Sequence, residues 1–189
     1  MKKALLSLGA FVAVLVAAVL IMQATITGPA QPGAAPSATP SAATVLPVTT
    51  NPITATGTKT GLTITDVMAE NNVDPTTKAA LADRLQFTLT NTSTAPMTGL
   101  EVYYTMKDTT TGTTESYYQK LDGLTLTPGQ ATTIYFDNGT GTGHYPENKY
   151  SLYRSSANEV KISIEAAASG YAPAQGTATK AQGTGEKTD

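Results

Sequence analysis

Apolar positions in this chain follow two regimes. From Ala4 to Met22 they run almost unbroken (ALLSLGAFVAVLVAAVLIM), whereas from Gly61 onward they alternate with polar ones. In Gly61–Val67, Leu62 and Ile64 oppose Thr63 and Thr65. In Leu85–Leu89, Leu85, Phe87 and Leu89 oppose Gln86 and Thr88. Leu100–Met106 sets Leu100, Val102, Tyr104 and Met106 against Glu101, Tyr103 and Thr105. Thr132–Phe136 and Val160–Ile164 repeat the pattern, with Ile134 and Phe136, then Val160, Ile162 and Ile164, on the apolar side. A period of two is the signature of a half-buried strand. Thr113–Leu121 is predicted to pair with the third of these through a turn at Asp108–Gly112. Leu124–Leu126 is predicted as a short strand between the turn dipeptides Asp122-Gly123 and Pro128-Gly129. About seven strands separated by turns predict an all-β domain of two packed antiparallel sheets. One helix is expected at Pro75–Ala82, with Asp74 as N-cap and Pro75 at the first helical position.

The continuous run has a different meaning. Its nineteen residues rise about 28 Å as a helix, close to the roughly 30 Å of a hydrocarbon core. Lys2 and Lys3 precede it, and no charge follows until Lys59. The positive-inside rule then holds the lysines in the cytoplasm and sends the remainder of the chain outward. The run reads as a retained signal-anchor or as a signal peptide cut after Ala30 or Ala24; its length exceeds the roughly 7–15 apolar residues of a usual signal peptide. Residues 28–57 carry six of the eleven prolines among Ala, Thr and Ser, the composition of an extended tether. Residues 58–173 hold every periodic strand, and residues 174–189 are polar, Gly-rich and expected to be a disordered tail.

FTLTNTSTAPMTGLEVYY followed by LTLTPGQATTIYF resembles the paired-strand signature of bacterial Ig-like surface modules. A strand ending in Asn-x-Ser/Thr leads through a loop into a long partner, and a Pro-Gly turn precedes an alternating strand. The order anchor, tether, module, short tail is similar to that of small exported proteins of Gram-positive bacteria, actinobacteria in particular. The resemblance implies an Ig-like β-sandwich outside the cell and carries no catalytic residue across.

Composition narrows the chemistry further. Within residues 59–173 eight Lys/Arg stand against twelve Asp/Glu, a net of −4, and such a domain would repel a phosphate backbone, so no nucleic-acid partner is expected. With no cysteine and a single histidine, His144, a metal centre built from several His or Cys ligands is impossible. No cofactor is expected either. A Ser-His-Asp site would rest on His144 alone, which follows a Gly139-Thr140-Gly141-Thr142-Gly143 run and reads as an exposed histidine in a flexible loop. Two oxygen-rich stretches, Glu70–Asp74 and Asp137-Asn138, are better explained as turn and cap residues than as a calcium site. The sequons Asn91-Thr92-Ser93 and Asn138-Gly139-Thr140 sit in turn-forming stretches. Enzymatic activity is not expected.

Tyrosine is in excess, with nine Tyr against three Phe and no Trp. Alternation assigns Tyr104 to the core and Tyr103 and Tyr135 to outward faces, and it splits Tyr117 from Tyr118. Tyr103, Tyr117, Tyr118 and Tyr135 are therefore the candidate ligand-binding residues, since exposed Tyr offers rigid area with a polar tip. The expected role is that of a membrane-tethered, extracytoplasmic domain acting structurally or in interaction with a wall polymer or surface protein. The alternative is a glycan-binding module using those tyrosines.

Overall fold

The computed structural model describes residues 45–71, 76–77 and 84–183. The apolar run, the helix expected at Pro75–Ala82 and the last six residues lie outside the described residues or nearly so. What is described is mostly β. In chain order the strands are β1 (Gly57–Lys59), β2 (Leu62–Ala69), β3 (Leu85–Asn91), β4 (Glu101–Asp108), β5 (Thr114–Lys120), β6 (Ala131–Phe136) and β7 (His144–Tyr145). A short helix, α1 (Leu152–Ser155), precedes β8 (Val160–Ala167), β9 (Gly170–Tyr171) and β10 (Ala174–Lys180).

Two four-stranded sheets, ordered β2-β3-β6-β7 and β10-β8-β4-β5, are accompanied by the small parallel pair β1-β9. Pairing is antiparallel in both large sheets except between β6 and β7. The predicted faces are the buried ones. Leu85, Phe87, Leu89, Ile134 and Phe136 of one sheet, and Val102, Tyr104, Met106, Val160, Ile162 and Ile164 of the other, belong to a single core. Tyr104 joins the sheets, its ring 4.9 Å from Phe136 and stacked at 5.4 Å on Tyr117. Each such large apolar side chain contributes about 1.5–3 kcal/mol on burial.

Strand β2 changes phase part-way. Its register to β3 slips between Thr65 and Met68, and Asp66 sits at φ 51°, a left-handed conformation that Asp tolerates better than most residues. Thr65 Oγ1 donates to the Asp66 carboxylate at 2.9 Å. One extra residue is thereby absorbed as a bulge. It turns Val67 and Ala69 toward the core in continuation of Leu62 and Ile64.

Four expectations need correction. Ala174–Lys180 is not a tail but the edge strand β10, paired with β8 over seven consecutive positions. Its end is tied down by buried Lys180, whose ammonium donates to the Ser156 carbonyl. Leu124–Leu126 is not a strand; Leu126 makes a single bridge to Met97, with both side chains fully buried. The last part of the Pro/Thr-rich segment, residues 45–57, is not free spacer, because it is hydrogen-bonded onto the domain from Val48 to Ala55. His144 is not an exposed loop residue, since it lies in β7 with its side chain 27% exposed and paired to Asp137.

Acidic side chains organise the loops around this core. Asp108, 2% exposed, accepts from the N–H groups of Thr110 and Thr111 at 2.9 and 2.8 Å, from Ser156 Oγ at 2.7 Å and from Asn158 Nδ2 at 2.9 Å. Ser156 and then the Thr111 N–H dominate in holding its carboxyl well below the usual range. Glu147, almost fully buried, accepts from Arg154 at 2.8 and 3.0 Å. Asn91 is also fully buried. Its side-chain amide donates to Ala95 and Leu126 and accepts from Ser93, so the first sequon is occupied by structural bonds.

Candidate functional site

The outer face of the β10-β8-β4-β5 sheet carries the row that register places side by side: Tyr118, Tyr103, Glu165 and Gln175. A shallow groove of about 170 Å³ runs beside it, lined by Tyr103, Thr105, Ser163, Glu165, Gln175 and Thr177 among others. The segment before β1 crosses this face like a strap. Val48 N–H donates to Ser116 O at 2.7 Å on the edge strand β5. Asn51 Nδ2 then reaches Glu165 at 3.4 Å. At the start of β4, Glu101 accepts from the N–H groups of Thr54 and Ala55 at 2.8 and 3.0 Å and from Thr54 Oγ1 at 3.1 Å. Tyr118 bonds the same carboxylate.

Glu101 shows why a charged residue is kept 6% exposed on this face. Burial alone would raise its carboxyl, but the Ala55 and Thr54 N–H groups, with the Tyr118 and Thr54 hydroxyls, outweigh that and hold it below its ordinary value. Tyr118 responds in the opposite sense. Its phenol is pushed up to about 12 by burial and by the bond to Glu101. Beyond Ala55 the strap continues into β1, where Gly57 lies against Gly170; a Cβ at Gly57 would fall 2.0 Å from the Gly170 carbonyl carbon. That pairing is open only to glycine.

A second constellation lies at the end of the other sheet. Asp137 follows β6, and the glycine-rich loop brings the chain back so that β7 pairs parallel with β6, Tyr135 opposite His144. His144 Nδ1 is 3.0 Å from both Asp137 oxygens. The His144 ring stacks on Tyr135 at 4.9 Å and 21°, and the Arg84 guanidinium lies 5.1 Å over the same tyrosine. Arg84 also pairs with Glu70 at 3.4 Å and approaches Asp137 at 3.9 Å. The GTGTG run has a steric purpose here. Gly139 donates its N–H to Asp137 at 2.8 Å, and a Cβ on it would sit 2.6 Å from His144 Nδ1. Beside the pair opens a groove of about 380 Å³ between the Asp122–Leu124 turn and residues 141–145.

The four tyrosines singled out by alternation do not form one surface. Tyr103 and Tyr118 share the strapped face and pair across strands. Tyr117 points inward, 1% exposed, its hydroxyl donating to Glu115 at 2.8 Å and accepting from Asn148 at 3.3 Å. Tyr135 lies on the other sheet, half-buried against His144. Sequence reasoning overlooked Glu101 and the Asp137–His144 pair. The seven-residue spacing of Asp137 and His144 was visible, but only a loop that folds back into a parallel strand brings them together. Among the described residues no group of three or more His, Asp or Glu is arranged to hold a metal ion, and no described helix is long and apolar enough to cross a membrane.

No family model matches the chain, and no curated protein matches it. Among solved structures it is similar to Bacteroides uniformis beta-glucuronidase 2, covalently bound to cyclophellitol-6-carboxylate aziridine. That likeness has 14% identity and a TM-score of 0.34, covering 65% of this chain and 13% of the other. It is also similar to the Pseudomonas fluorescens alkylpurine DNA glycosylase AlkC bound to DNA containing an abasic site analog. There the identity is 21% and the TM-score 0.32, covering 62% of this chain and 30% of the other. The chain thus spans well under half the length of either.

Proposed function

We propose that this chain is a membrane-tethered, extracytoplasmic Ig-like domain with a non-catalytic structural or interaction role at the cell surface. Strand order supports the Ig-like part. Among the seven long described strands the first, second and fifth share one sheet, and the seventh, sixth, third and fourth share the other, the split of a seven-stranded Ig-type sandwich except that the fourth strand has moved to the edge beside the third. The apolar run behind Lys2 and Lys3, followed by an uncharged Pro-rich stretch, supports tethering, with the domain outward.

The observation that carries the reading is the grip of Glu101 on Thr54 and Ala55. A tether that ended loosely would leave the domain to tumble on its leash. Here the incoming chain is held at a defined point on the sheet, and tension along it meets charge-assisted hydrogen bonds before it reaches β1. The same strap lies over the face that holds Tyr103 and Tyr118, while Tyr117 is buried and Tyr135 belongs to the other sheet. A single tyrosine platform for glycan has no support in that arrangement.

The anchoring is tested by fractionation of cells expressing the full chain. The expected product stays with membranes through carbonate extraction and retains its N-terminus. A soluble product beginning at Gln31 would replace the anchored reading with a secreted one, and a soluble product with an intact N-terminus would overturn export.

A further inference from the structure

The groove beside His144 sets polar side chains against the edge of the core, where Leu124 belongs to the core cluster and Tyr145 packs on it. Its walls are the turn carrying Asp122 and Leu124 and the segment Gly141–Tyr145. His144 is fixed from behind: Nδ1 faces both oxygens of Asp137 at 3.0 Å, and the ring is stacked on Tyr135 at 4.9 Å. The carboxylate accepts the hydrogen on Nδ1, so Nε2 is the ring nitrogen that Asp137 does not engage. Asp122 adds an exposed carboxylate on the opposite wall. The Tyr145 phenol, raised first by its burial and then by the charge of Asp122, supplies a hydroxyl that feels that carboxylate. Leu124 and the ring of Tyr145 contribute apolar surface.

We propose that this groove is a saccharide-binding site for a neutral sugar. A pyranose presents vicinal hydroxyls that donate to a carboxylate and to an imidazole nitrogen, accepts from a phenol, and turns a C–H face toward aromatic or aliphatic surface. Each of these has a counterpart among Asp122, His144, Tyr145 and Leu124. The volume of about 380 Å³ lies at the small end of the roughly 300–1,000 Å³ of ligand pockets. An anionic sugar is disfavoured by Asp122, with Asp137 behind the histidine. Residues 122–145 supply the whole site, so it is independent of where the chain is held.

His144 is the sole histidine of the chain and therefore a unique reporter. Full-length protein is purified without a histidine tag, kept in detergent and labelled with ¹³C in the imidazole. It is then titrated with the β-1,4 trimer of N-acetylglucosamine, with methyl α-mannoside and with glucuronate. The expected result is a saturable movement of the His144 ring resonance with a neutral probe and none with glucuronate. Asp122→Asn should weaken that binding about tenfold or more, the loss of one charge-assisted hydrogen bond, while Tyr103→Ala leaves it unchanged. The proposal is overturned by a still resonance with both neutral probes up to about 50 mM, far above the millimolar range of weak binding. An undiminished response in Asp122→Asn, or a response to Zn²⁺ with none to sugar, would overturn it equally.

Discussion

Asp108 ties the β4–β5 turn to the segment before β8 through four hydrogen bonds to one carboxylate, and this makes it a pH-dependent brace. Its folded pKa lies well below the value of about 3.9 expected in the unfolded chain. The stabilisation it contributes is therefore complete above that unfolded value and is lost as pH falls toward the folded one. Glu101 is displaced in the same direction and adds to the same slope. Urea unfolding followed from about pH 7 to about pH 2 should show a midpoint that falls steeply in acid. Asp108→Asn should lower stability at neutral pH and flatten the acid slope. Parallel curves for the two proteins would show that Asp108 is not the group responsible. Alternation revealed the inward set of core residues at this scale, because a period of two is a local property. It placed Asp108 in a turn but gave no hint of the bonds that carry Asp108 to Ser156 and Glu101 to Thr54, 48 and 47 residues away along the chain.

The long strands β2 to β6 and β8 were legible as elements, since each places at least one large side chain in the core at an alternating position. Strand β10 was not, and the reason is physical. Its inward positions are Ala174, Gly176 and Ala178, and its outward ones Gln175, Thr177 and Thr179. Alternation is present but the inward residues are small. They must be, because β2 lies close: a Cβ at Gly176 would sit 2.8 Å from methyl groups of both Ile64 and Val67. A strand selected for close approach thus has the composition of a disordered tail. The strap was illegible for a related reason, as its partners are backbone groups and a distant carboxylate rather than an apolar face. Gly176→Val should therefore destabilise the domain by about 1–3 kcal/mol through overpacking, whereas Thr177→Val on the outer face should have little effect. If both substitutions are silent by thermal unfolding, residues 174–180 do not pack as β10.

For the molecule as a whole, the strap is the described part of the connection between the braced β domain and the apolar run Ala4–Met22. The absence of cysteine provides a clean background for testing this arrangement by single-cysteine labelling in intact cells. Tyr150, 66% exposed, is a site where a thiol would be open to solvent without disturbing the core. Lys3 precedes the apolar run and is assigned to the cytoplasm by the positive-inside rule. Tyr150→Cys should react with a membrane-impermeant maleimide added to intact cells, and Lys3→Cys should react only after the cells are lysed. Labelling of Tyr150→Cys only after lysis would contradict the extracytoplasmic assignment on which the proposed function stands.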